Sequence, residues 1–404
     1  MYQLLKGLRV VEGSAFIAAP LGGMTLAQLG AEVIRFDPIG GGLDYRRWPV
    51  TARGESLYWA GLNKGKRSVA LDLGSEEGRD LAAALVAAPG ADAGIFLTNF
   101  PSDSWLSYDK LRERRADLIM VNVQGNSDGS SALDYTINCA TGIPFVTGNA
   151  SAQMPVNHML PAWDCITGIN AALAVLAAER HRRTTGEGQL VELSLADIAF
   201  SMLGNLGNIA EVEINDDDRI ALGNRIFGAF GRDFLSRDRR RFMLVGVTRR
   251  QWQSLVSATG LVTEFAALGE RMGLNFDKEG DRFSATDEVA ALLESWCAER
   301  NMDEIRTVFD KNGVCWGPYQ TIRQAVEHDP RCSIDNPIFE NVSQPGVGTY
   351  RVPGSPLRFG GLERQPVTPA PALGADTDDC LRTMLSLSES DISGLHDRKI
   401  VAGV

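Results

Sequence analysis

Short apolar runs alternate with amphipathic stretches through the first two hundred residues. LRVVE at 8–12 is a compact run of the kind a buried strand carries. Pro20 suits the opening turn of a helix, where a missing N–H costs nothing, and the helix runs through MTLAQL to a stop at Gly30. AEVIRFD at 31–37 predicts a second strand. The alternation continues with a strand over 68–73 (SVALDL), an amphipathic helix over 76–88 and a strand over 93–99 (AGIFLTN). A helix over 108–115 and a strand over 118–124 (LIMVNVQ) follow. Strands separated by helices predict a parallel sheet covered on both faces, hence an α/β fold.

An alanine-rich pattern predicts a long helix over 164–182, then a Gly-Glu-Gly turn at 186–188, a strand over 189–194 and a helix over 195–210. These close a large domain over 1–210. Residues 211–231 are polar and glycine-rich and read as a linker. Beyond them the texture changes to α+β over 232–325, a smaller domain with a strand at 241–247 and helices at 251–258, 286–299 and 302–312. Residues 326–404 read as a return segment, rich in Pro and Gly up to about 376 with short strands, ending in helices over 377–385 and 388–399.

At 404 residues the chain can bury a large core without disulfide or metal staples. Forty Lys and Arg against 51 Asp and Glu give a net charge of −11, which disfavours nucleic acid and anionic membrane as partners, since both need a positive field. The start of the chain lacks a basic segment followed by an apolar one, and no apolar run reaches the ~18–20 residues of a membrane span. The six cysteines show no CxxC spacing and read as reduced thiols of a cytoplasmic protein, not as a zinc site or disulfide frame.

Asp37 ends the second strand where a ribose-binding acid would sit. The preceding turn, residues 13–20 (GSAFIAAP), has no GxGxxG, however, and Phe16 and Ile17 would obstruct a pyrophosphate. A P-loop signature is also absent. Of four histidines, His158, six residues before Asp164, is the functional candidate. Arg46 and Arg47 follow three glycines, and Lys64 lies in NKGKR; the cluster reads either as a solvated loop or as an anion clamp. Asp164 opens the alanine-rich helix. It reads either as an N-cap or as an ionised carboxylate available for covalent chemistry at the positive end of a helix.

These segments, in this order, resemble the class III CoA-transferases. They are GLRVVE, LAQLGAEVIRFDP, LNKGKRSVALDL, TNF at 98–100, the helix start D-x-x-T-G at 164–168, TGEGQLVELSLAD, and PGVGTYRVPGSPLRF. The resemblance implies a Rossmann-like large domain built from both chain ends, a smaller α+β domain between them, and two subunits interlocked as a homodimer. It implies Asp164 as the catalytic carboxylate, with CoA contacts at Phe16, Ile17, Leu71, Asp72, Leu73, Asn99, Phe100 and Pro101. CoA enters as part of the acyl-CoA substrate, and no other cofactor and no metal is implied.

The segments GGGLDYRRWPVT, LPAWD and AERHRRTTGEGQLV match an isomerising branch of that family. This match implies that CoA moves between the two carboxyl groups of one dicarboxylate, converting 2-methylfumaryl-CoA to 3-methylfumaryl-CoA. Transfer between a dicarboxylyl-CoA and a separate acid is the alternative. Ile17 and Pro38 replace a glutamine and a CoA-contacting arginine of formyl-CoA transferases, and no glycine-run lid occurs in the linker. Arg46, Arg47, Lys64, His158 and Arg225 are therefore the candidates for the substrate carboxylate. A racemase reading fails at Leu133, which stands where that activity needs a histidine base.

Overall fold

The computed structural model describes residues 1–101, 105–149 and 154–403. They divide into two compact units, one of Met1–Thr141, His158–Asp216 and Pro330–Val404, the other of Gly142–Asn157 and Asp217–Asp329.

The first unit is built on a seven-stranded sheet. Its strands are β1 (Arg9–Gly13), β2 (Glu32–Pro38), β3 (Arg67–Leu71), β4 (Ile95–Thr98), β5 (Ile119–Gln124), β6 (Leu190–Ser194) and the terminal strand β12 (Val401–Ala402). Their spatial order is β12-β3-β2-β1-β4-β5-β6. The first six pair in parallel, while β12 lies antiparallel to β3 with Val401 opposite Leu71. Thr377 anchors this edge, its hydroxyl donating to the Ala402 carbonyl at 2.7 Å.

Successive strand residues point to opposite faces, and both faces are buried. Val11, Ile34, Phe36, Val69 and Phe96 pack beneath the helices Glu76–Ala87, Thr377–Leu385 and Glu389–Asp397. Val10, Val33, Ile95, Leu97 and Val121 face the helices Ala18–Gln28 and Ala162–Thr185. Those two helices touch through glycines: a Cβ on Gly168 would lie 2.7 Å from the Ala18 carbonyl oxygen, and one on Gly22 would lie 3.0 Å from that of Gly168. This approach fixes the long helix one turn beyond Asp164. The helix Ala162–Thr185 is long and apolar enough to cross a membrane by length and composition, although it packs here against the sheet. A hairpin of β10 (Phe339–Gln344) and β11 (Gly348–Pro353) supplies the short strands expected in the return segment.

The second unit holds an antiparallel sheet of β7 (Phe230–Leu235), β8 (Arg241–Gly246) and β9 (Cys315–Pro318). Helices Arg249–Thr259, Thr286–Ala298 and Met302–Asn312 cover it around Phe230, Phe242, Leu244 and Phe309.

The stretch read as a linker is more structured than its polarity suggests. Gly207, at φ +82°, breaks the helix expected over 195–210. The chain then re-forms a helix over Asn208–Asn215, and β7 begins at Phe230. Nothing on the second helix is buried, so its apolar residues Ile209, Val212 and Ile214 face outward.

Candidate active site

The strand order reverses between β1 and β4, so crossovers leave to opposite sides there, the place at which open α/β sheets form a ligand crevice at the carboxyl ends of their strands. Two sequence-predicted segments meet there. The Ala15 N–H donates to Asn99 Oδ1 at 2.9 Å, and Asn99 Nδ2 returns a bond to the Ala15 carbonyl at 2.7 Å. Phe16 holds a left-handed backbone at φ +67°, unusual for a bulky residue, and its N–H donates to Asp44 Oδ2 at 3.1 Å. Phe16, Ile17 and Asn99 are half-buried and Pro101 is exposed, while Phe100 packs its ring edge-on to Phe36. Residues 102–104, in the stretch that lacks the formyl-CoA transferase arginine, lie outside the described residues.

The third predicted CoA segment is more enclosed. Leu71 has no exposed surface, and its carbonyl accepts from Ile39 and Leu73. At this strand end, contact with a ligand therefore falls to Asp72 and Leu73. The Asp72 carboxylate already caps the Gly74 N–H at 3.1 Å.

A buried ionic hub ties into the Phe16 turn through Asp44. Arg35, 1% exposed, donates to Asp37 at 2.8 and 2.9 Å, to Asp44 Oδ1 at 2.8 Å and to Asn63 Oδ1 at 3.2 Å. Lys66 Nζ donates to Glu12 Oε1 at 2.8 Å. Asp37, once a candidate ribose ligand, is consumed in this hub.

Asp164 lies in the first turn of the helix Ala162–Thr185, but it does not cap that helix. Pro161 occupies the cap position, and no side chain of its own caps the turn. The capping acceptor comes from elsewhere: Asp134 Oδ2 accepts the Trp163 N–H at 2.7 Å and the Asp164 N–H at 3.1 Å. The N-cap alternative for Asp164 is thereby removed, and its carboxylate is left for other work. Burial, then the neighbouring Asp134 charge, raises its pKa from 3.8 to about 6, while Arg47 pulls the other way.

The candidate cations part company. The Arg47 guanidinium lies over the Phe16 ring at 5.2 Å and over the Tyr58 ring at 5.3 Å, close enough to act on Asp164. With Arg46, Trp48 and Gly40–Gly42 it lines an open polar cavity of about 760 Å³. Lys64 is turned inward. Its Nζ donates to the Pro353 carbonyl at 3.0 Å, and burial lowers its pKa to about 8. That geometry removes it from the carboxylate candidates. His158 faces Asp134 rather than an open pocket, with Nε2 2.9 Å from Oδ1. Arg225 belongs to the second unit, where it pairs with Asp287.

Three residues of the site escaped the sequence reading. Asp134 and Asp44 are distant capping acids whose partners no local pattern reveals. Tyr58 projects from the helix Leu57–Leu62, its hydroxyl buried without a hydrogen-bond partner among the described residues. Burial and the nearby Asp164 and Asp44 carboxylates push its phenol upward, against the pull of Arg47. Together these groups form a half-buried carboxylate beside one guanidinium and one unspent hydroxyl, an arrangement suited to a carboxylate nucleophile and an anionic acyl group.

The family model of CoA-transferase family III matches residues 5–377. The chain is 59% identical to the 2-methylfumaryl-CoA isomerase of Chloroflexus aurantiacus over 404 residues, covering 100% of this chain and 99% of that one. It is 26% identical to the succinyl-CoA–L-malate CoA-transferase alpha subunit of Chloroflexus aurantiacus, over 98% of this chain and 92% of that one. Among solved structures, a CaiB/BaiF family protein from Brucella suis superposes with a TM-score of 0.74 at 25% identity, covering 94% of this chain and 98% of that one. Rv3272 from Mycobacterium tuberculosis superposes with a TM-score of 0.72 at 24% identity, covering 93% and 98%.

Proposed function

The chain belongs to CoA-transferase family III, and from that premise we propose that it moves CoA within one molecule, converting 2-methylfumaryl-CoA to 3-methylfumaryl-CoA. The observation that carries the reading is the full-length 59% identity to an isomerase of that substrate, joined to a carboxylate at Asp164 that its own helix does not use.

The Asp164 carboxylate attacks the C1 thioester carbonyl and expels CoA thiolate, leaving a mixed anhydride. The thiolate attacks the aspartyl carbonyl of that anhydride, giving an aspartyl-CoA thioester and releasing mesaconate with its C1 carboxylate restored. The C4 carboxylate of the same mesaconate then attacks the aspartyl thioester and expels thiolate. Attack of the thiolate on the C4 carbonyl of this second anhydride yields 3-methylfumaryl-CoA and frees Asp164. No proton is gained or lost over the cycle. Crevice donors, with Tyr58 foremost, serve the negative charge that gathers on each tetrahedral oxygen. Arg47 holds whichever carboxylate is free, and its rigid fork can serve either end. Phe16, Ile17 and the Asn99–Pro101 turn line the CoA path.

Retaining the freed acid makes the second half-reaction effectively unimolecular, with effective molarities of ~10⁵–10⁸ M for well-oriented groups. The working unit is an interlocked homodimer in the cytoplasm. The outward apolar face of the Asn208–Asn215 helix supports that assembly. The deciding experiment is conversion of purified 2-methylfumaryl-CoA with no free acid added. Isomerisation supports the reading, whereas dependence of the rate on an added acid supports transfer between molecules.

A further inference from the structure

We propose that Asp44 is a positioning residue that sets the site's grip on the released dicarboxylate by holding Phe16 beneath Arg47. The inference rests on the reading that Arg47 binds the free carboxylate.

Asp44 is 1% exposed and divides its two oxygens between two tasks. Oδ1 accepts from the Arg35 guanidinium at 2.8 Å, and Oδ2 accepts the Phe16 N–H at 3.1 Å. The second bond holds a bulky residue at φ +67°, a region that non-glycine residues enter at a cost. The position this imposes places the Phe16 ring 5.2 Å from the Arg47 guanidinium carbon, which also lies 5.3 Å from the Tyr58 ring. An exposed arginine is thus held against two rings, one of them fixed through Asp44 to the buried hub.

The hub holds three acids, Glu12, Asp37 and Asp44, against two bases, Arg35 and Lys66. Removing the Asp44 charge leaves two of each, so no buried base is left without an acid to face it. Asn in its place offers one oxygen, and either Arg35 or the Phe16 N–H must then face an NH₂ group. The oxygen goes to the Arg35 cation, whose charge-assisted bond at 2.8 Å is the stronger of the two, and the loss falls on Phe16. The backbone there relaxes, its ring withdraws and Arg47 loses its seat. The consequence is specific: acid freed at the aspartyl-thioester stage escapes more often before recapture.

The test uses full-length Asp44→Asn and Phe16→Leu, each turning over unlabelled 2-methylfumaryl-CoA in the presence of isotope-labelled mesaconate. The readout is the labelled fraction of product per turnover, a ratio that a general loss of active enzyme does not move. Both variants should exceed the wild-type fraction by about tenfold, the scale of weakening one charge-assisted hydrogen bond. Phe16→Leu leaves the hub intact and decides the matter if Asp44→Asn does not fold. A sealed wild type with equally sealed variants would overturn the role of Asp44 alone. Label entering the wild-type product as freely as the variants' would overturn the retention reading itself.

Discussion

Asp134 accepts the backbone N–H of Asp164 at 3.1 Å, so one acid fixes the peptide of another while its charge burdens the neighbour's side chain. The two effects separate on substitution. Asp134→Asn keeps an oxygen for the amides of the first helical turn but removes the charge. The acid limb of the pH–rate profile should then move down by up to about one unit. An unmoved limb would place the cause of the raised Asp164 pKa in burial alone.

The raised pKa also marks stability. Asp164 titrates near 6 in the fold against an ordinary 3.8, so the unfolded chain ionises more readily than the folded one. Its protonation favours the fold fully below about pH 4, and that contribution is lost as pH rises through 6. Asp164→Asn should therefore be more stable than wild type at pH 8, by on the order of 2 kcal/mol, with no difference at pH 4. Activity runs the opposite way in wild type, because attack needs the carboxylate. Thermal melts at the two pH values, set beside initial rates, check both signs.

Arg47 answers to shape as well as charge. Arg47→Lys retains a cation but neither stacks on the Phe16 and Tyr58 rings nor offers a planar fork, so KM should rise about tenfold. Arg47→Met should raise it further and lift the acid limb, since Arg47 pulls the Asp164 pKa down. A KM unchanged in both variants would remove Arg47 from substrate binding.

The parallel sheet was legible because its strands are continuous apolar runs between amphipathic helices, and β1 to β6 lie where that pattern places them. β12 was not. Two residues at the chain end carry no period, and they form a strand only because β3 offers an unpaired edge. The helix at Asn208–Asn215 hid in a polar stretch for a related reason, as it buries nothing within this chain. Asp164 in the first turn of its helix and the Phe16–Ile17 turn after β1 lie in the fold where the sequence pattern places them. Lys64 and His158 could not be judged so, because a charged residue in a loop reads the same whether it faces solvent, a carbonyl or a buried acid.

Leu206, Ile209, Val212 and Ile214 present exposed apolar side chains of the kind a subunit contact would cover. The subunits of the proposed interlocked homodimer cannot part without partial unfolding, so dilution should yield no folded monomer, and Val212→Glu should weaken the assembly and lower Tm. Light scattering over a dilution series checks this. A stable, active monomer would contradict it.

In the proposed reaction Asp164 itself becomes acylated and carries CoA. Wild-type protein incubated with 2-methylfumaryl-CoA and hydroxylamine, then digested and read by mass spectrometry, should yield a hydroxamate at Asp164 together with free CoA. Asp164→Ala should fold, yield no hydroxamate and form no 3-methylfumaryl-CoA. Substantial turnover by Asp164→Ala, or a hydroxamate on another residue, would contradict the account.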